Sequence, residues 1–261
     1  MMITPIHSST LCTSEHVVQI HHDLQALIES VSVFALSGLN NGDTVMLAGC
    51  RSHPKSIEAS LGSQRVNTLQ AKERGRLIPL DAEEALSTFM VDGMPDWKRF
   101  EGTIGTAIRD SRSEVSSVQV WGEMVNQLWE QDRVSAAIRL EEMWNELART
   151  HPFSLFCTYL MEPLNSSGPS RAMLVGAART HSRVVPAGDY GCIEAAVEMA
   201  MDEVLGPSQS GMVRTLVRTK ADLPQLPNAQ MLIFWLQANM PLLAEKVIDR
   251  GREIYTRMGR A

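Results

Sequence analysis

The Gly122-Glu123 pair sits where an apolar run, "SSVQVWG", gives way to a helical pattern. A carboxylate at such a turn can accept hydrogen bonds from a ligand, hold a metal or act as a base. In an open parallel sheet, ligands bind outside the carboxyl ends of the strands, which is where Glu123 falls. It can equally be an acid at a helix N-terminus, favoured there by the macrodipole. The flanking Trp121 and Trp129 suit either contact with a ligand or packing.

A second stretch, "GCRSHPKS" from Gly49 to Ser56, follows an apolar strand and opens a helix. A phosphate-binding loop of the form G-x-x-x-x-G-K-[ST] would sit there, with Lys55 and Ser56 in place. Pro54 stands where the second glycine belongs. Proline has no N–H to offer a phosphate and stiffens the loop that must wrap it. Tight ATP binding is therefore not expected, and the alternative is a strand-to-helix turn with an exposed lysine.

The remaining polar residues carry less. Arg139 and Glu142 are spaced to pair on one helix face, and Arg139, Glu141 and Asn145 form either a network or a solvated face. Cys157 lies in an apolar strand, where a cysteine is usually an inert small hydrophobe. The seven histidines include no H-x-x-x-H or H-E-x-x-H spacing, so no metal site and no cofactor is expected. No serine has the G-x-S-x-G context of an activated nucleophile. No catalytic set is visible.

The elements that must position these residues follow from periodicity. Ser14 is expected to cap a helix running to about Gly38, with Val17, Ile20, Leu24, Leu27, Ile28 and Val31 at helical spacing. Residues 44–49, 116–122 and 153–160 read as strands, "VNTLQA" and "RLIPL" as shorter ones. Helices are expected over 52–61, 81–90, from Pro95 to about Arg112, and as a pair broken near Asp132. Strands alternating with helices predict a mostly parallel sheet covered on both faces. Past Leu160, "NSSGPS", "GPSQSG" and "DLPQLPN" punctuate shorter elements. Residues 191–205 are expected to be helical, as is a pair over 228–257 broken at Pro241. A boundary near 186–190 divides the chain into 1–186 and a helical extension, 187–261.

With 261 residues, 44% hydrophobic and 21% charged, the composition is that of a globular chain. The net charge of −6 argues against nucleic-acid binding by the whole surface and leaves only a local basic patch open. No run of about 18 apolar residues predicts a membrane span. The start, "MMITPIHSSTLCTSEH", lacks a basic segment followed by an apolar core, so no secretory signal and a cytoplasmic location are expected. The four cysteines form no C-x-x-C pair, which fits reduced thiols.

Three blocks together resemble the MEDS domain, the sensory domain named for methanogen and methylotroph regulators and DcmR. They are "GRLIPLDAEEALSTFMVDGMPDWKRF" (75–100), "VWGEMVNQLWEQDRVSAAIRLEEMWNEL" (120–147) and "FSLFCTYLM" (153–161). An N-terminal histidine ahead of the first helix and "HSRVVP" (181–186) also fit. The resemblance implies a three-layer α/β fold related to RecA and KaiC, with a degenerate phosphate loop. It implies a non-catalytic domain binding a small organic ligand near His7, Trp121, Glu123, Arg139, Asn145 and Cys157. Members are joined to kinases, response regulators, DNA-binding domains or anti-sigma factors, and residues 191–261 resemble none of these. The signal is then expected to pass to a separate regulatory protein, such as a kinase, response regulator or anti-sigma factor. A nucleotide-binding protein or weak ATPase using Lys55, Ser56 and Glu123 is one alternative, a protein-interaction module without a ligand another.

The C-terminal extension carries an apolar stripe, Leu236, Leu243, Val247 and Ile254. It is expected to form a homodimer interface, with a partner-protein groove or packing on its own core as the alternatives.

Overall fold

The computed structural model describes residues 15–21, 23–50, 52–112, 116–161, 164, 168–186, 190–219 and 226–258. His7, Cys12, Ser14 and His22 lie outside them.

The chain opens on a strand, β1 (His16–His21), not on the expected helix. Val17 and Val18 both have no exposure, so the segment is covered on two sides. A helix over this stretch would bury one stripe only, and the β-branched residues favour the extended form. Helix α1 (Leu24–Asn41) begins after it, capped by Asp23, whose carboxylate accepts from the Ala26 N–H at 2.7 Å. It ends at Gly42, whose φ of 89° only glycine adopts without strain.

Strand β2 (Thr44–Gly49) leads to α2 (His53–Ser63), with Pro54 in its first turn. "VNTLQA" holds a short helix, α3 (Thr68–Glu73), instead of a strand, because Asn67 caps it at the Gln70 N–H. Strand β3 (Leu77–Asp81) ends on Asp81, which caps α4 (Ala82–Phe89). The expected helix start at Pro95 is displaced by a hairpin. Its strands β4 (Met90–Val91) and β5 (Met94–Pro95) turn on Asp92 and Gly93, both at positive φ, a tight Asp-Gly turn. Asp96 then caps α5 (Trp97–Phe100), which continues through a π-helical turn, Glu101–Gly105, into α6 (Thr106–Asp110).

Strand β6 (Val118–Gly122), α7 (Met124–Glu130), α8 (Val134–Thr150) and β7 (Ser154–Leu160) follow as expected. Two further elements, α9 (Gly168–Thr180) and β8 (Arg183–Pro186), close the sheet. The six main strands run in the order β3-β2-β6-β7-β1-β8, every pair parallel.

Alternate residues feed two cores. Val17, Val45, Leu47, Trp121 and Phe156 pack against Leu27, Phe34, Ile57 and Leu61 of α1 and α2. Val18, Met46, Val120, Leu155, Cys157 and Tyr159 face the other way, against Leu86, Leu128, Leu140 and Leu174 of α4, α7, α8 and α9. The sheet is thus the middle of three layers.

Helices α10 (Tyr190–Leu205), α11 (Pro207–Thr219), α12 (Asn228–Asn239) and α13 (Pro241–Met258) build a third core. This corrects the reading of the apolar stripe. Leu236, Val247 and Ile254 are buried in that core, and Leu243 is half-buried. Each large side chain gains about 1.5–3 kcal/mol by this burial, so the chain's own helices cover the three buried members of the stripe. Met231 and Phe234 of α12 touch both this core and that of the sheet.

Candidate functional site

Beneath α8 and α9 the second face of the sheet carries polar side chains where apolar ones would be usual. His16 opens β1. Cys157 and Tyr159 alternate onto the same face of β7. Glu141 and Asn145, one turn apart, point down from α8, and His181 lies between α9 and β8. Glu141 is 1% exposed, Cys157 2%, His181 4% and His16 6%.

The hydrogen bonds fix every orientation. The Asn145 amide donates to the Thr180 carbonyl at 2.8 Å, so its oxygen is the atom 3.1 Å from His16 Nδ1, and Nδ1 must carry the hydrogen. His181 Nδ1 lies 2.9 Å from the Ala177 carbonyl, which can only accept, so this ring is fixed the same way. Both Nε2 lone pairs then point inward. His16 Nε2 is 3.4 Å from Cys157 Sγ and 3.2 Å from Glu141 Oε2, and His181 Nε2 is 3.6 Å from the same oxygen. Tyr159 donates to Glu141 Oε1. Glu141 Oε2 and His181 Nε2 make no hydrogen bond, although both are fully buried.

Burial pushes the His181 imidazole down, to about 3, and the Cys157 thiol and Tyr159 phenol up. All three are neutral at pH 7. Burial also opposes charge on Glu141, but the His181 and His16 imidazoles and the Tyr159 hydroxyl outweigh it and hold the carboxyl below its usual range. A neutral His181, however, offers Glu141 a lone pair and no charge. The centre therefore gathers nitrogen, sulfur and oxygen donor atoms around one buried carboxylate.

Asn145 and Thr180 also line a cleft of about 600 Å³ between α8 and α9. Its rim carries Glu142, Glu146, Arg149 and Arg179. Arg139, half-exposed on α8, pairs with Glu146 at 2.9 Å and Glu142 at 3.3 Å, and those carboxylates raise its pKa.

The other candidates lie elsewhere. Glu123 is buried at the C-terminal end of β6 on the far side of Gly122, where its Oε2 accepts from the Cys50 N–H at 2.9 Å. His53 Nδ1 lies 2.9 and 3.0 Å from the two carboxylate oxygens. The carboxylate thus fills the turn in which a bound phosphate would sit. Lys55 and Ser56 are exposed on α2. Trp121 is a core residue of the opposite face, its indole N–H donating to Thr158 Oγ1 at 2.9 Å. Among the described residues of the expected ligand set, the fold brings together Asn145 and Cys157. It pairs Arg139 with Glu142 and Glu146, which line the neighbouring cleft, and holds Trp121 and Glu123 apart.

Sequence reasoning gave no site role to His16, Tyr159 and His181, and left Glu141 as part of either a network or a solvated face. One signal was present: Glu141 falls between Ala137 and Trp144 on the apolar stripe of α8, where a carboxylate must be paired.

A six-stranded parallel sheet between helical layers, with a closed polar centre under one layer and a cleft beside it, defines an α/β domain built around an interior site. The chain belongs to the MEDS family, MEthanogen/methylotroph, DcmR Sensory domain, which it matches over residues 15–182. A comparison with curated proteins finds no match. The matched span begins one residue before His16 and ends one residue after His181, so it encloses the whole polar centre. Among the described residues no helix is long and apolar enough to cross a membrane.

Proposed function

We propose that the protein is a non-catalytic sensory domain that binds a small polar organic molecule in the α8–α9 cleft and relays its presence to a regulatory partner. Family membership supports the sensory role. One observation supports the place: Asn145 lines the cleft and also holds His16, so a molecule that engages the Asn145 amide competes with the bond that orients the buried centre. The cleft volume falls in the range of about 300–1,000 Å³ usual for small-molecule sites. The partner is of the kind found joined to such domains, a kinase, response regulator or anti-sigma factor.

Native mass spectrometry of protein purified from its own host tests this. A retained organic molecule is expected, lost on Asn145→Leu in a chain that circular dichroism shows to be folded. Retention unchanged by that substitution places the ligand elsewhere and overturns the reading.

A further inference from the structure

We infer that His16, Glu141, Cys157 and His181 form a binding site for a zinc-class divalent transition-metal ion. Spacing along the chain hides such a site, because its four ligands come from β1, α8, β7 and the turn before β8. In the fold, one donor atom from each lies within 4.8 Å of all the others. Bond lengths of about 2.0–2.3 Å to nitrogen, oxygen and sulfur around a tetrahedral ion require ligand atoms about 3.3–3.8 Å apart. The separations of 3.2 Å (His16 Nε2 to Glu141 Oε2), 3.4 Å (His16 Nε2 to Cys157 Sγ) and 3.6 Å (His181 Nε2 to Glu141 Oε2) are already close to that.

Three further features point the same way. Both imidazoles are held by their Nδ1 hydrogens, one on Asn145 and one on the Ala177 carbonyl, which leaves both Nε2 lone pairs converging on the centre. Such outer partners are how proteins orient metal-binding histidines. Glu141 Oε2 and His181 Nε2 have no hydrogen-bond partner at near-complete burial, which is costly unless a cation sits between them. The charges also balance. Binding of M²⁺ forms a metal–sulfur bond as the Cys157 S–H proton leaves to solvent, and the thiolate and the Glu141 carboxylate then neutralise the ion inside the domain.

The donor set selects the metal. Two imidazoles and a thiolate suit zinc, cobalt or ferrous iron and not the oxygen-seeking calcium or magnesium. Four protein ligands leave no open position for a reacting water, as in structural zinc sites. The inference stands apart from the sensing reading, since the ion can be bound whether or not the cleft holds a molecule.

The test uses the full chain, purified without chelator, for elemental analysis, and then the chelator-stripped chain titrated with Co²⁺. One metal per chain is expected, with the d–d spectrum of tetrahedral cobalt and a thiolate charge-transfer band that Cys157→Ser abolishes. Asn145→Ala, which frees His16 without removing a ligand, should weaken Zn²⁺ binding by about 10- to 100-fold in competition with a chromophoric chelator. A stripped chain that is folded by circular dichroism yet takes up no Co²⁺ overturns the inference. So does a charge-transfer band that survives Cys157→Ser, which would arise from another thiol. Should that variant fail to fold, the parent's cobalt spectrum decides between a sulfur-containing tetrahedral site and none. Metal bound without any retained organic molecule keeps this inference and removes the sensing one; a retained molecule without metal does the reverse.

Discussion

The Glu123 carboxylate lies 2.9 Å from His53 Nδ1 and accepts from the Cys50 N–H, so an acid of the chain itself fills the turn between β2 and α2. Phosphate oxygens would meet that negative charge, and the Cys50 N–H that would face them already donates to Glu123. Calorimetry with Mg-ATP should show no tight binding. Micromolar affinity lost on Lys55→Ala would instead establish a working phosphate loop.

Replacing Glu123 by alanine should cost about 1–3 kcal/mol in chemical denaturation, because it removes the carboxylate that the half-buried Cys50 N–H donates to. Glu123→Gln, which still offers an oxygen, should cost less. Equal losses in the two variants would mean that volume, not the hydrogen bond, matters here.

Gly49 should tolerate no side chain. A Cβ at this position would stand 2.5 Å from the Trp121 ring and 2.8 Å from Pro54 Cγ. The indole is fully buried and pinned to Thr158, so it cannot swing away. Gly49→Ala should lose about 1–3 kcal/mol by overpacking. A urea midpoint at the parent value would show that the turn yields.

Val247→Asp should unfold the helical extension or cost about 3–5 kcal/mol, since it puts an unpaired charge into a closed core. Leu243→Asp, at a half-buried position, should cost about 1 kcal/mol. If both variants stay folded and only the subunit count changes, judged by light scattering, the stripe is an interface after all.

Tyr190 gives a pH dependence. Burial pushes its phenol well above the usual range, against a smaller opposing pull from the backbone of Gln230 and Ala229. The folded state therefore binds this proton more tightly than the unfolded chain. Its stabilising effect is complete below about pH 10 and is lost as pH rises beyond that value. Tyr190→Phe should leave the neutral-pH melting temperature nearly unchanged and flatten the alkaline decline. A parallel decline in parent and variant would remove Tyr190 as its source.

The strands most legible in the sequence were those whose neighbours agreed with them. Residues 44–49, 118–122 and 154–160 are continuous apolar runs between clear turns, and parallel central strands bury both faces. Residues 16–21 failed because Val17 and Ile20 also fit a helix that continues into the true one from Leu24, and so short a run does not distinguish period 2 from period 3.6. Helix α9 was hidden by "NSSGPS", read as punctuation although a helix begins at Gly168. The polar centre was illegible for a different reason. Each member has an ordinary explanation alone, a buried cysteine, a core tyrosine, a helix-face glutamate, and only the parallel register that sets Val18 beside Cys157 brings His16 to them. Arg139 and Glu142 were legible as a pair because their contact is local.

Ser182 donates both its N–H, at 2.8 Å, and its hydroxyl, at 2.7 Å, to the His16 carbonyl across 166 positions of chain. The first strand and the approach to the last one are therefore sewn together beside the polar centre. That makes the centre a clasp on the two ends of the α/β domain. Forming it early would close a very long loop, whose entropic cost must be met before the contacts reward it. The clasp is thus expected to be among the last parts to form and the first to open. A shortened chain that begins after His16 or stops before Ser182 would keep most of the sheet's residues and yet leave both loose ends undone.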